Sequence, residues 1–194
     1  MEKSLFMQDS SRSNHGYEAM LDFQISWLLR LSAQKETKQP ELHKVARNVL
    51  LKLIGMEKNS NVIINKVDVW KQWENIDLTA EIELEVNNKT ERHLVVIEDK
   101  AYTLIHDNQL KRYVDSVNAY YHDKGHNSYK KHFWVISFYD KEEECFKTLQ
   151  KQCKECKEAN WDPLSFYDVI GWENGDFEDT ESDLFNEFWL REWF

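Results

Sequence analysis

Proline and glycine are scarce in this chain, 2 and 5 among 194 residues. That excludes a collagen-like, low-complexity or linker-rich polypeptide. Cysteine is scarce too, with Cys145, Cys153 and Cys156 as the full set. An odd count without an export signal argues against a disulfide framework. Cys153 and Cys156 form a single CxxC pair, and no second pair exists to complete a zinc site. Both read as ordinary residues of a helix. No apolar run approaches the roughly 20 residues needed to cross a bilayer. The segment Met1 to Phe6 lacks the apolar core of a signal peptide, so the chain reads as cytoplasmic. Positive charge is in deficit, with 25 basic against 35 acidic residues and a net charge of −10. This argues against a general nucleic-acid-coating protein. The deficit is uneven, because residues 173–194 hold eight acidic side chains and one basic. The remainder is close to balance and has room for a local basic groove. A glycine-rich phosphate loop is also missing.

What is present is core material. Hydrophobic residues make up 41% and aromatic residues 13%, including 8 Trp. The length suits one domain over residues 1–194. Tyr17 to Leu31 reads as a helix, with Met20, Leu21, Ile25, Leu28 and Leu31 at helical spacing. Pro40 opens a second helix and Gly55 stops it. Asn61 to Trp70 is rich in Val and Ile and reads as a strand. Ile76 to Val86 alternates: Ile76, Leu78, Ala80, Ile82 and Leu84 face one way. Asp77, Thr79, Glu81, Glu83 and Glu85 face the other, and the three glutamates are expected to face solvent. Asn87-Asn88-Lys89 is a turn signal, so this strand and His93–Asp99 form a hairpin. Leu94 to Ile97 is apolar on both faces, as for a strand in mid-sheet. A helix capped by His106 or Asp107 follows, to about Tyr121. Then come a strand over His132–Phe138, a charged helix over Lys141–Glu158 and a short strand over Ser165–Ile170. An acidic loop from Glu173 precedes an aromatic C-terminal helix, Leu184–Phe194. The order is α-α-β-β-β-α-β-α, an α/β domain with a central mixed sheet flanked by helices.

The chemistry concentrates where the central strand ends, at Glu98-Asp99-Lys100. Strand side chains alternate, so Glu98 and Lys100 share a face and Asp99 points away. Asp77 heads the neighbouring strand. Two carboxylates and an amine at a strand end suit a hard divalent cation and an activated water. Mg²⁺ takes oxygen ligands and keeps several waters, so Asp77, Glu98 and the backbone carbonyl of Asp99 suffice. Mn²⁺ is an alternative ion. Lys100 would place positive charge beside the reacting phosphate. A solvated strand end is the plain alternative. Lys111 and Arg112 open the following helix, where a DNA backbone could be met.

Asp77, then Glu98-x-Lys100, then Gln109-x-x-x-Tyr113 in this element order resembles the PD-(D/E)XK nuclease superfamily, with its restriction-endonuclease-like fold. The closest look is to members with an Ile-Glu-x-Lys strand followed by a Gln-Leu-x-x-Tyr helix. Ile76 stands where the family name has Pro. The resemblance covers roughly residues 15–140 and implies that Asp77 and Glu98 bind Mg²⁺ and that Lys100 is catalytic. It also implies that Gln109 and Tyr113 line the site, with Glu18 on the first helix as a further acid and Asp22 as its rival. The implied activity is hydrolysis of phosphodiester bonds, with DNA as the expected partner and no membrane. The alternative is a catalytically silent nucleic-acid-binding or protein-interaction module on the same fold. A homodimer through the Trp-rich C-terminal helix is a further candidate assembly. His122 and His126, four apart, read as a solvated turn.

Overall fold

The computed structural model describes residues 2–7, 14–35, 37–58, 60–123, 128–171 and 178–193. His126 and the start of the acidic stretch, residues 173–177, lie outside these residues. The elements are α1 (Asn14–Ser32), α2 (Pro40–Leu53), β1 (Ile63–Trp73), β2 (Ile76–Val86), β3 (Lys89–Lys100), α3 (Gln109–Asp123), β4 (Lys130–Ser137), α4 (Glu144–Glu155), β5 (Trp161–Ser165), α5 (Phe166–Val169) and α6 (Asp183–Trp189).

The sheet runs β1-β2-β3-β4-β5. Its first three strands are antiparallel and its last three parallel. Tight turns explain the antiparallel half. Asn87 and Asn88 adopt φ of 50° and 61°. Two successive residues of positive φ give a turn whose twist matches the strands it joins. The resulting register sets Val86 opposite Lys89 and Leu78 opposite Ile97. Parallel pairing of β3 with β4 requires a crossover, and α3 supplies it.

β3 is central and its residues Leu94 to Lys100 are all buried. Its odd and even positions feed two cores. Val95 and Ile97 join Leu78, Ala80, Ile82 and Leu84 beneath α1 and α2. Leu94 and Val96 join Phe133, Val135 and Trp161 beneath α3 and α4. The helices show why they dock. Leu110, Tyr113, Val114, Val117 and Tyr121 form the buried stripe of α3.

Several expectations change. Ser165–Ile170 is not a strand: β5 lies earlier, and Phe166 to Val169 form the short helix α5. Pro163 is tolerated in β5, since an edge strand can lose one ladder donor. The charged helix is shorter than expected, Glu144–Glu155, and Lys141 lies before it, paired with Asp168 at 2.9 Å. Glu81, Glu83 and Glu85 are half-buried rather than solvated. Glu81 accepts hydrogen bonds from Tyr121 and Tyr129, and Glu83 from Arg92.

The C-terminal aromatics are spent inside the chain. Phe185, Phe188 and Trp189 are buried, and Trp189 stacks on Phe166 at 4.6 Å. This removes the basis for a dimer surface on α6. Acidic residues near the C-terminus act as tethers. Glu181 accepts from the amides of Glu41 and Leu42, which Pro40 leaves open at the start of α2. Glu187 accepts from Ser4 and the amides of Leu5 and Phe6. The three cysteines are free, and burial pushes the Cys153 thiol up to about 12, so it stays protonated.

One core polar pair has a pH consequence. His93 Nδ1 and His132 Nε2 lie 2.9 Å apart, so one ring must donate and the other accept. Burial lowers both, His132 to about 4, where the neighbouring His93 adds to the effect. Their contribution is complete above the unfolded value near 6.5 and is lost as pH falls toward 4. Between pH 6.5 and 5 the pair is expected to cost about 1–2 kcal/mol after allowing for solvent access to His132. Denaturant melts across that range should show the loss, and H132Q should flatten it.

Candidate active site

Register and alternation assemble the charged strand end. Leu78 is opposite Ile97, which brings the next residue, Asp77, beside Glu98 on the face covered by α3. The β1–β2 hairpin that precedes Asp77 is tightly wound. Gln72, Glu74 and Asn75 have φ of 57°, 53° and 63°, a conformation that non-glycine residues adopt at a cost. The winding turns Gln72 back onto Asp77, whose Oδ1 accepts from Gln72 Nε2 at 3.1 Å. Asp77 Oδ2 accepts from the Asp99 amide at 2.9 Å. Both carboxylate oxygens are thereby aimed.

Glu98 is 2% exposed and Lys100 is 6% exposed, so the solvated alternative does not hold. Lys100 Nζ donates to Glu98 Oε1, and Gln109 Nε2 donates to the same oxygen at 2.5 Å. Gln109 also reaches Tyr113 Oη at 2.9 Å, and Tyr113 donates to the Asn75 carbonyl at 2.7 Å. The first turn of α3 is thus tied both to Glu98 and to the hairpin that orients Asp77. Glu98 Oε2 has no hydrogen-bond partner among the described residues. Burial first, and then the charge of Asp77, push the Glu98 carboxyl up to about 8, with Lys100 opposing.

Asp99 points to the other side, toward α1, as alternation requires. Its role there is not that of a spacer. It is fully buried against Asp22, and burial and the charges of Asp22 and Asp77 hold it well above the carboxylate range. Asp22 is pushed up to about 7 by burial and then by Asp77. Both acids of α1 turn to this side: Asp22 meets Asp99, and the charge of Glu18 acts on Asp22. Glu18 accepts from the Ala101 amide at 3.0 Å and so ties α1 to the end of β3.

Lys111 and Arg112 lie outside this cluster. Lys111 is exposed and paired with Asp115 and Glu158, each at 3.1 Å. Arg112 is exposed and donates to the Asp107 carbonyl.

The donor set bears on a cation. Among the described residues, no three His, Cys, Asp or Glu side chains are arranged to hold a metal ion. A small hard cation needs fewer: one or two carboxylates with waters are enough. Asp77 and Glu98 are adjacent carboxylates, and Glu98 Oε2 is buried without a donor. Burial and their neighbouring carboxylates hold Glu98, Asp99 and Asp22 above the carboxylate range, and a cation beside them would favour their charged forms. These residues fit a divalent cation of the Mg²⁺ class.

The model of the PD-(D/E)XK nuclease superfamily matches residues 22–175. Glu18 falls outside that span, while Asp22, Asp77, Glu98, Lys100 and Gln109 fall within it. Neither the curated proteins nor the solved structures contain a significant match. The mixed five-stranded sheet with helices on both faces is a restriction-endonuclease-like fold, and with the family match over most of its length the chain belongs to the PD-(D/E)XK nuclease superfamily.

Proposed function

We propose that this protein is a Mg²⁺-dependent nuclease that hydrolyses phosphodiester bonds of DNA. The observation that carries the reading is the Asp77–Glu98–Lys100 cluster, in which Glu98 and Lys100 are buried and Gln109 braces Glu98. Asp77 and Glu98 hold the cation, with the Asp99 carbonyl as a third oxygen. When bound, Mg²⁺ or Mn²⁺ polarises the phosphate and lowers the pKa of an attacking water. Lys100 stabilises the negative charge that develops on the scissile phosphate. Gln109 and Lys100 both engage Oε1 of Glu98, so Oε2, which has no hydrogen-bond partner among the described residues, is the oxygen that would be left for a cation. Tyr113 keeps Gln109 in place through its own bond to the hairpin. Glu18 and Asp22 orient the end of β3 from the α1 side. Lys111 and Arg112 meet the strand away from the scissile bond.

The net charge of −10 favours a second reading, a binding module on the same fold that keeps the metal site and acts in a complex without turnover. Incubation with plasmid DNA, single-stranded DNA and RNA separates the two. Cleavage in Mg²⁺ or Mn²⁺ that EDTA abolishes is the expected result. Metal binding by calorimetry with no cleavage of any substrate would replace the first reading by the second.

A further inference from the structure

The face of β2 that carries Asp77 continues into a feature that hydrolysis does not use. Asp77, Thr79 and Glu81 follow one another on that face, about 7 Å apart. Opposite Thr79, on β1, stands Trp70. Trp70, Trp73, Thr79, Glu81, Tyr120 and Tyr121 line a cavity of about 90 Å³. Its walls are aromatic. Trp73 meets Tyr120 edge-on at 5.0 Å, and Tyr120 meets Tyr121 at 5.2 Å. At its mouth Trp70 and Tyr120 are 44% and 42% exposed, high for such large rings.

The floor is polar. Glu81 is committed to Tyr121 and Tyr129, at 2.6 and 2.9 Å. Thr79 is 2% exposed, and its hydroxyl has no hydrogen-bond partner among the described residues. Such an orphaned hydroxyl costs free energy unless something supplies a partner.

We infer that this slot takes one unpaired nucleobase of a strand bound at Asp77 and Glu98. The inference rests on the nuclease reading and names its substrate class, single-stranded or locally opened nucleic acid. The volume is that of about three waters, which admits the edge of one planar ring and excludes a base pair. Base faces stack on aromatic rings, and base edges carry donors and acceptors that the Thr79 hydroxyl can meet. An aliphatic side chain from a protein partner would fill the slot yet leave Thr79 unpaired. Position also selects the occupant. Thr79 is the next residue after Asp77 on its face of the strand, so a strand lying across the carboxylates brings a neighbouring base over the slot.

The test is fluorescence anisotropy with labelled single-stranded and blunt duplex oligonucleotides. It uses the full chain carrying Lys100→Ala, in Mg²⁺, so that binding is read without cleavage. W70A and Y120A should each weaken single-strand binding about tenfold, with duplex binding unchanged. W70F and Y120F should restore it, which separates loss of a ring from loss of folding. A strand with abasic positions should bind the Lys100→Ala chain as weakly as the intact strand binds the alanine variants. Equal weakening on single strand and duplex, no weakening, or full affinity for the abasic strand would each overturn the slot. Cleavage by the unsubstituted chain is followed in parallel. Ring-dependent binding without any cleavage would keep the slot and remove the hydrolytic reading.

Discussion

Lys100→Met is expected to lower metal-dependent DNA cleavage by about 10³-fold, the scale set by losing one charge-stabilising group at a reacting centre. Initial rates at saturating Mg²⁺ measure it. Methionine keeps the length of the buried stem, so packing is conserved. The remaining question is whether the fold survives with Glu98 unpaired. Breaking a buried ion pair costs several kcal/mol when the remaining group stays charged. Glu98 has another course, because burial and Asp77 already hold its carboxyl at about 8. That value already includes the opposing pull of Lys100, so without Lys100 it stays protonated at neutral pH and still accepts from Gln109. The variant should therefore melt within a few degrees of the parent while losing activity. A parallel fall in melting temperature and rate would instead mark Lys100 as structural.

The second large effect is on stability. Trp189→Ala is expected to cost about 3–5 kcal/mol, the range for truncating a buried large aromatic. For a chain of this size that lowers the melting temperature by about 10 °C. Trp189 is 1% exposed, stacks on Phe166 at 4.6 Å and meets Phe188 at 5.0 Å. Phe166 in turn stacks on Phe138, just beyond β4, so α6 closes the core beneath the sheet. Thermal melts by circular dichroism check it. Trp70→Ala is the control, since that ring is exposed and should shift the melt little.

The parts of the fold that the sequence made legible are those governed by short-range rules. The β2–β3 hairpin follows from alternation and two asparagines that tolerate positive φ. Alternation also placed Glu98 and Lys100 on one face. The apolar stripe of α3 carried Gln109 and Tyr113 toward the same end. What was not legible depends on pairing between distant segments. Asp22 meets Asp99 only because α1 crosses beneath the end of β3, and nothing local to either residue reports that crossing. Glu81 alternates outward like a solvated glutamate, but Tyr121 and Tyr129 arrive from α3 and the approach to β4 to cover it. The aromatic C-terminal helix looked like an assembly surface because aromatic residues serve cores and interfaces alike. Only the packing of Phe166 and Phe138 against it decides between the two.

The most direct test of the account is a Mg²⁺ titration of single-stranded DNA cleavage by the parent and by Asp77→Asn. Asparagine preserves the shape and can still accept from the Asp99 amide, while it removes the charge that would hold the cation. The parent should cleave with a saturable dependence on Mg²⁺, and Asp77→Asn should stay at the EDTA baseline throughout. Equal cleavage by the two proteins at any Mg²⁺ concentration would contradict a cation site built on Asp77 and Glu98.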